Sequence, residues 1–205
     1  MAILTTCATV SSWLFRLLAL LLALQVCPDL LAATNPATNT ANEYALKAAF
    51  LYKFASFVVW PDSNASEPLC IGVAGDDPFG SALDEVVKGK SINGRTFEIR
   101  RFAPGQMPGN CQILFISGSE KNGSEKNGSE KKKLPAVLDH VQGVPILTVG
   151  DMAGFCESGG MIRLGLEDNR IIIEINPAAA EKAGLQLSSK LLGVARIVRS
   201  ARNAK

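Results

Sequence analysis

Apolar residues between Glu43 and Trp60 recur three and four apart, at Leu46, Phe50, Phe54 and Phe57/Val58, the spacing of one helix face. Glu43 and Lys47 stand one helical turn apart, as on an exposed helix edge. Asn42 is placed to cap the start, and Pro61 removes a donor and turns Trp60 away from helical angles, so the pattern predicts a helix from 43 to 60. Ala48, Ala49, Leu51 and Ala55 make most of the remaining circumference apolar, and a helix of that kind must be covered on most sides. Before it, residues 34–42 are polar and apolar-poor and predict a disordered lead-in.

Downstream, continuous apolar runs at Cys70–Ala74, Gln112–Ser117 and Val144–Val149 predict buried parallel strands, with a strand of mixed polarity around Phe97, Ile99 and Phe102. Helical spacing follows Asp77-Pro78, where Asp caps and Pro opens the helix continued by Ala82, Leu83, Val86 and Val87. It recurs at Leu134, Val137, Leu138 and Val141. Met161–Leu166 and Ile171–Ile175 flank Asp168-Asn169, a pair suited to a tight hairpin turn. Asn176-Pro177 starts a short helix ending at Gly184, and Ser188 or Ser189 caps a last helix that turns Leu191, Leu192, Ala195 and Val198 inward and Lys190, Arg196, Arg199 and Arg202 outward. Strands alternating with helices predict an α/β, three-layer sandwich: about six strands, mostly parallel, with a C-terminal antiparallel hairpin and helices on both faces. Residues 118–133 carry three tandem copies of Gly-Ser-Glu-Lys-(Asn/Lys) without an apolar side chain, which predicts a mobile loop or a frayed helix start.

Composition changes this picture mainly at the N-terminus. Arg16 precedes the apolar run Leu17–Val26, and Leu31-Ala32-Ala33 offers small residues for cleavage, so residues 1–33 read as an export signal processed near Ala33. The run is shorter than the roughly 20 residues of a membrane-spanning helix. The mature chain is therefore expected to be exported, with one domain over 43–202. Cleavage leaves Cys70, Cys111 and Cys156, enough for one bridge and one leftover thiol in an oxidising compartment. Cys70 and Cys111 both stand at strand starts, within bridging reach if the strands are adjacent. The net charge of +2 is too small and too evenly spread to argue for nucleic acid.

Candidate chemistry is sparse. Phosphate-cradling glycine loops and the Gly-x-Ser-x-Gly nucleophile elbow are missing from the sequence, and His140, its only histidine, sits beside Asp139 near a helix end. No metal or cofactor is expected, because the Cys and His spacing lacks a ligand pattern. Asp76 and Asp77 follow the first strand like the acidic corner of a receiver domain, but Ser117 stands where that site would need a second Asp. They are kept as candidate ligand residues at a strand end. Tyr52, Phe57 and Trp60, at the aromatic end of the first helix, are the candidate partner surface, and Cys156 is a candidate free redox thiol.

The pattern Leu51-Tyr-Lys-Phe-x-x-Phe-Val-x-Trp-Pro61 followed by Cys70-Ile-Gly-Val-Ala-Gly resembles the opening of the YfiR-like family of bacterial periplasmic regulators. The resemblance continues through Cys111-Gln-Ile-Leu-Phe-Ile, Val144-Pro-Ile-Leu-Thr-Val, Gly159-Gly-Met-Ile, Glu174-Ile-Asn-Pro and Leu185-x-Leu-Ser-Ser-Lys-Leu-Leu, over roughly residues 43 to 200. It implies the Cys70–Cys111 disulfide. It also implies a non-enzymatic repressor of an inner-membrane signalling enzyme, typically a diguanylate cyclase, released by redox change or by an outer-membrane lipoprotein. The second bridge of such relatives lacks a partner for Cys156 here, which leaves a two-disulfide redox switch without its second half. A homodimer is a further expected assembly; an exported small-molecule binding module serving a sensor kinase, and a periplasmic hydrolase or redox enzyme, are the alternative functions.

Overall fold

The first helix is longer at its start and shorter at its end than its apolar spacing predicts. The structure, a computed structural model, describes residues 36–61, 67–103, 106, 108–109, 111–118 and 127–199. The chain divides into two compact units, Met1–Thr38 and Asn39–Lys205, and everything below except the first turn of α1 belongs to the second. The expected export signal lies outside the described residues.

Helix α1 runs Pro36–Phe54. Residues 36–42, expected to be disordered, are helical, and Pro36 opens the helix where a missing N–H costs nothing. The helix stops at Phe54 because a turn follows, with Phe57 N–H donating to Phe54 O at 2.9 Å, and the β-branched pair Val58–Val59 becomes strand β1. β1 pairs antiparallel with β9 (Gln186–Leu187) in a small separate sheet. The buried face of α1 is Tyr44, Lys47, Ala48, Leu51 and Phe54, with Ala55 buried just past its end, while Leu46 is 48% exposed. That is a rotation away from the predicted Leu46–Phe50 stripe. Small Ala48 and Ala55 let the helix approach the sheet, and Lys47 is drawn inward by a carboxylate described below.

The main sheet holds β2 (Leu69–Ala74), β3 (Ser91–Ile92), β4 (Arg95–Phe102), β5 (Ile113–Ile116), β6 (Leu147–Gly150), β7 (Ile162–Glu167), β8 (Arg170–Ile175) and β10 (Arg196–Ile197). Their order is β10-β8-β7-β6-β5-β2-β4-β3. The six longer strands are the six expected; the two-residue strands β3 and β10 add the edges. Parallel pairing joins β4, β2, β5, β6 and β7; the antiparallel pairs are the β3–β4 edge and the β7–β8 hairpin, with Asp168 and Asn169 at φ 47° and 62° in the hairpin turn. Helix α2 (Ala82–Val87) joins β3 and β2 on the α1 side, and α3 (Asn127–His140) crosses from β5 to β6 on the other face. The last part of the repeat segment, residues 127–133, is thus the start of α3, and residues 119–126 lie outside the described residues.

The C-terminus differs from expectation. Helix α4 (Pro177–Lys182) is capped as expected, Ala179 N–H donating to Asn176 Oδ1 at 3.3 Å. Helix α5, capped by Ser188, covers only Ser189–Leu192. The chain then turns at Gly193, Arg196–Ile197 pairs parallel with β8, and Val198 N–H donates to Ile175 O at 2.7 Å. The open edge of β8 offers backbone partners that a longer helix would leave unused. Arg196 is accordingly a strand residue, not a cation in a final helical turn.

Candidate functional site

In open α/β sheets, ligands sit beyond the carboxyl ends of the strands, at the point where strand order reverses. Here that point lies between β2 and β5, with β4 on one side and β6 on the other. Asp151 directly follows β6. Its Oδ2 accepts from Lys47 Nζ at 3.0 Å and from the Tyr44 hydroxyl at 2.8 Å, and its Oδ1 accepts from Gly118 N–H at 3.0 Å. Lys47 Nζ also lies 2.6 Å from Glu43 Oε1 and 4.4 Å from the centre of the Tyr44 ring. One carboxylate therefore ties together α1, the second residue after β5 and the first residue after β6. Only 3% of the Lys47 side chain and 7% of the Asp151 side chain are exposed, so water does little to weaken the pair. The Glu43–Lys47 spacing is real, but its lysine is buried instead of lining an exposed edge.

The acidic corner after β2 is committed in a similar way. Asp77 Oδ1 accepts from Phe79 N–H at 2.8 Å, forming a turn, and its Oδ2 accepts from Arg101 Nε at 2.7 Å. Arg101 also donates to Asp84 and to Gly80 O. Asp84, then Asp77, raise the Arg101 guanidinium further above its ordinary range. Asp77 is thus a turn former and ion-pair partner, and the N-cap position of α2 belongs to Ser81. Asp76 is exposed.

The aromatic end of α1 is largely absorbed into the fold. Trp60 is 8% exposed and its indole N–H donates to Gln112 O at 3.1 Å, since the chain has left the helix at Phe54 and Trp60 directly follows β1. Tyr52 is half-buried, its ring 5.3 Å from that of Phe97 and tilted 59° to it, with the Lys53 and Lys90 ammonium groups over the Tyr52 ring. Phe57 is half-buried against the main core. Each of the three packs against the main core, and Trp60 presents no free ring.

A disulfide joins Cys70 and Cys111, with Cα atoms 4.6 Å apart. Cys70 N–H donates to Gln112 Oε1 at 2.7 Å, which fixes the two strand starts side by side. Cys156 is free and fully buried, and its thiol donates to Glu174 O at 3.5 Å. Burial first, then the charges of Glu174 and Glu157, push the thiol up to about 12. A thiol so disposed stays protonated and shielded, the opposite of a reactive redox cysteine. His140 is exposed at the end of α3, so it does not share an interior cleft with Cys156. Among the described residues, no three His, Cys, Asp or Glu side chains are grouped to hold a metal, and no helix is long and apolar enough to cross a membrane.

Sequence reasoning missed Lys47, Tyr44 and Asp151 as a unit. The available signal was the position of Asp151, the first residue past the carboxyl end of a central parallel strand. Residues 44–196 match the family whose description is YfiR/HmsC-like. Comparison with curated proteins gives no match.

Proposed function

The chain belongs to the YfiR/HmsC-like family, and on that premise we propose that it is a periplasmic, non-enzymatic regulator that holds an inner-membrane diguanylate cyclase inactive by binding its outer portion. The observation that carries this reading is the family match, which spans nearly the whole folded unit. The strand ends add support. Where an α/β enzyme would keep polar groups free for substrate, Lys47 and Arg101 are each held between two carboxylates of the chain itself. A regulator of this kind acts by differential affinity: it shifts the cyclase only as far as it binds the inactive form more tightly than the active one. The Cys70–Cys111 bridge serves as a structural staple in this reading, and relief of repression comes from a competing binder such as an outer-membrane lipoprotein. Deleting the gene and measuring cellular cyclic di-GMP tests it. The level should rise and return when the wild-type chain is restored; an unchanged level overturns the proposal.

A further inference from the structure

Leu46 and Leu166 are among the most exposed large apolar residues described, at 48% and 45%. They are also neighbours. Both line a groove of about 330 Å³ with Thr40, Asn42, Glu43, Asn169 and Ile171. Leu166 and Ile171 face each other in the hairpin register, continuing the row formed by Ile162, Leu164, Ile173 and Ile175 on the same sheet face. Farther in, that row is buried in the main core with α1. At the hairpin tip the apolar row emerges from under the helix, and the groove is where it meets solvent.

The rim has a sign. Lys47 is shared by Glu43 and Asp151, so two carboxylates face one ammonium and the cluster behind the groove is one negative charge in excess. Glu43 keeps 18% of its side chain exposed and lines the groove, whereas the exposed charges at the adjoining turn, Asp168 and Arg170, offset each other. An apolar floor beside uncompensated negative charge is complementary to an apolar side chain flanked by a cation.

We propose that this groove is the docking site for a segment of the repressed membrane enzyme that presents a large apolar side chain next to a lysine or arginine. The proposal rests on the regulatory reading above and adds the surface and the chemistry of its partner. Burial of the apolar side chain against Leu46, Leu166 and Ile171 supplies affinity, and Glu43 sets orientation.

The test uses a host strain lacking the gene, with the full chain restored from a titratable promoter and cyclic di-GMP as the readout. Leu46→Glu and Leu166→Glu should each raise the amount of protein needed for half repression about tenfold or more. Glu43→Gln should raise it about threefold. Val144→Glu, at an exposed position outside the groove, should not change it. Thermal melting of each purified variant reports whether it is folded, and both leucines are exposed enough to tolerate the change. Repression by both leucine variants at wild-type levels overturns the groove while leaving the regulatory reading intact. Loss of the gene without effect on cyclic di-GMP overturns both. A wild-type dimer that Leu166→Glu splits without loss of repression assigns the groove to a second copy, which also overturns the proposal.

Discussion

On one face of the sheet, β2, β5 and β6 turn Ile71, Val73, Ile113, Phe115, Leu147 and Val149 toward α1, α2 and α4. On the other face the same strands turn Cys70, Gly72, Ala74, Leu114, Ile116, Thr148 and Gly150 toward α3 and the loop after β6. The first face is built by large side chains meeting several helices. Apart from Leu114 and Ile116 the second is lined with small residues, and its space is filled from outside. Phe155, fully buried, lies flat over Gly150 and Gly160, neither of which has room for a Cβ beneath the ring. The Cys70–Cys111 bridge and the Phe102 ring close in on Gly72, where a Cβ would stand 2.9 Å from Phe102 Cε2 and 3.3 Å from Cys111 Sγ. A face that borrows its packing from one ring and one covalent bond has few ways to redistribute a loss, whereas a face shared among three helices has many.

The largest expected effect follows from removing that ring. Phe155→Ala should cost about 3–5 kcal/mol, because Gly150 and Gly160 offer no side chain to collapse into the space. Urea denaturation measures it, with Leu51→Ala as the reference on the other face; a cost for Phe155→Ala below that of Leu51→Ala would break the contrast. Next comes the bridge. Replacing both partners, Cys70→Ser with Cys111→Ser, should cost about 3–4 kcal/mol on the chain-entropy account, since it reopens a sequence separation of 41 residues. The same measurement under reducing conditions should lower the wild type to the level of the double variant and leave the variant unmoved.

The two faces also differ in how far they can be read from the sequence. Apolar runs disclose β2, β5 and β6, and turn chemistry discloses the hairpin at Asp168-Asn169 and the cap at Asn176, because these signals are local. The buried face of α1 is not local: Lys47 points inward for the sake of Asp151, a partner 104 positions away. The same is true of Trp60, whose break from the helix is rewarded by Gln112 O, and of β1, β9 and β10, two-residue strands that exist only where a neighbouring edge awaits them. Cys156 shows the limit most plainly. Its odd number among the thiols suggested reactivity, and only the packing of the loop after β6 places it out of reach.

That placement gives the smallest and most specific effect. With the thiol pushed up to about 12 in the folded protein and ordinary when unfolded, the unfolded chain loses its proton first as pH rises. Between the two values the unfolded state binds fewer protons, so stability is full below the unfolded value and declines as pH climbs toward the folded one. From about pH 8 to about pH 10.5 the contribution lost should be about 2 kcal/mol. Other groups titrate in this range, so the informative quantity is the difference between the wild type and Cys156→Ala. The variant should be less stable at neutral pH, from the cavity it leaves, and that deficit should shrink in alkali. Iodoacetamide should leave Cys156 of the folded, bridged protein unmodified at neutral pH and alkylate it once the chain is unfolded. Rapid labelling of the native protein, with a deficit that stays constant across the titration, would return Cys156 to the role of an accessible redox thiol and leave the small-residue face less tightly sealed than its packing requires.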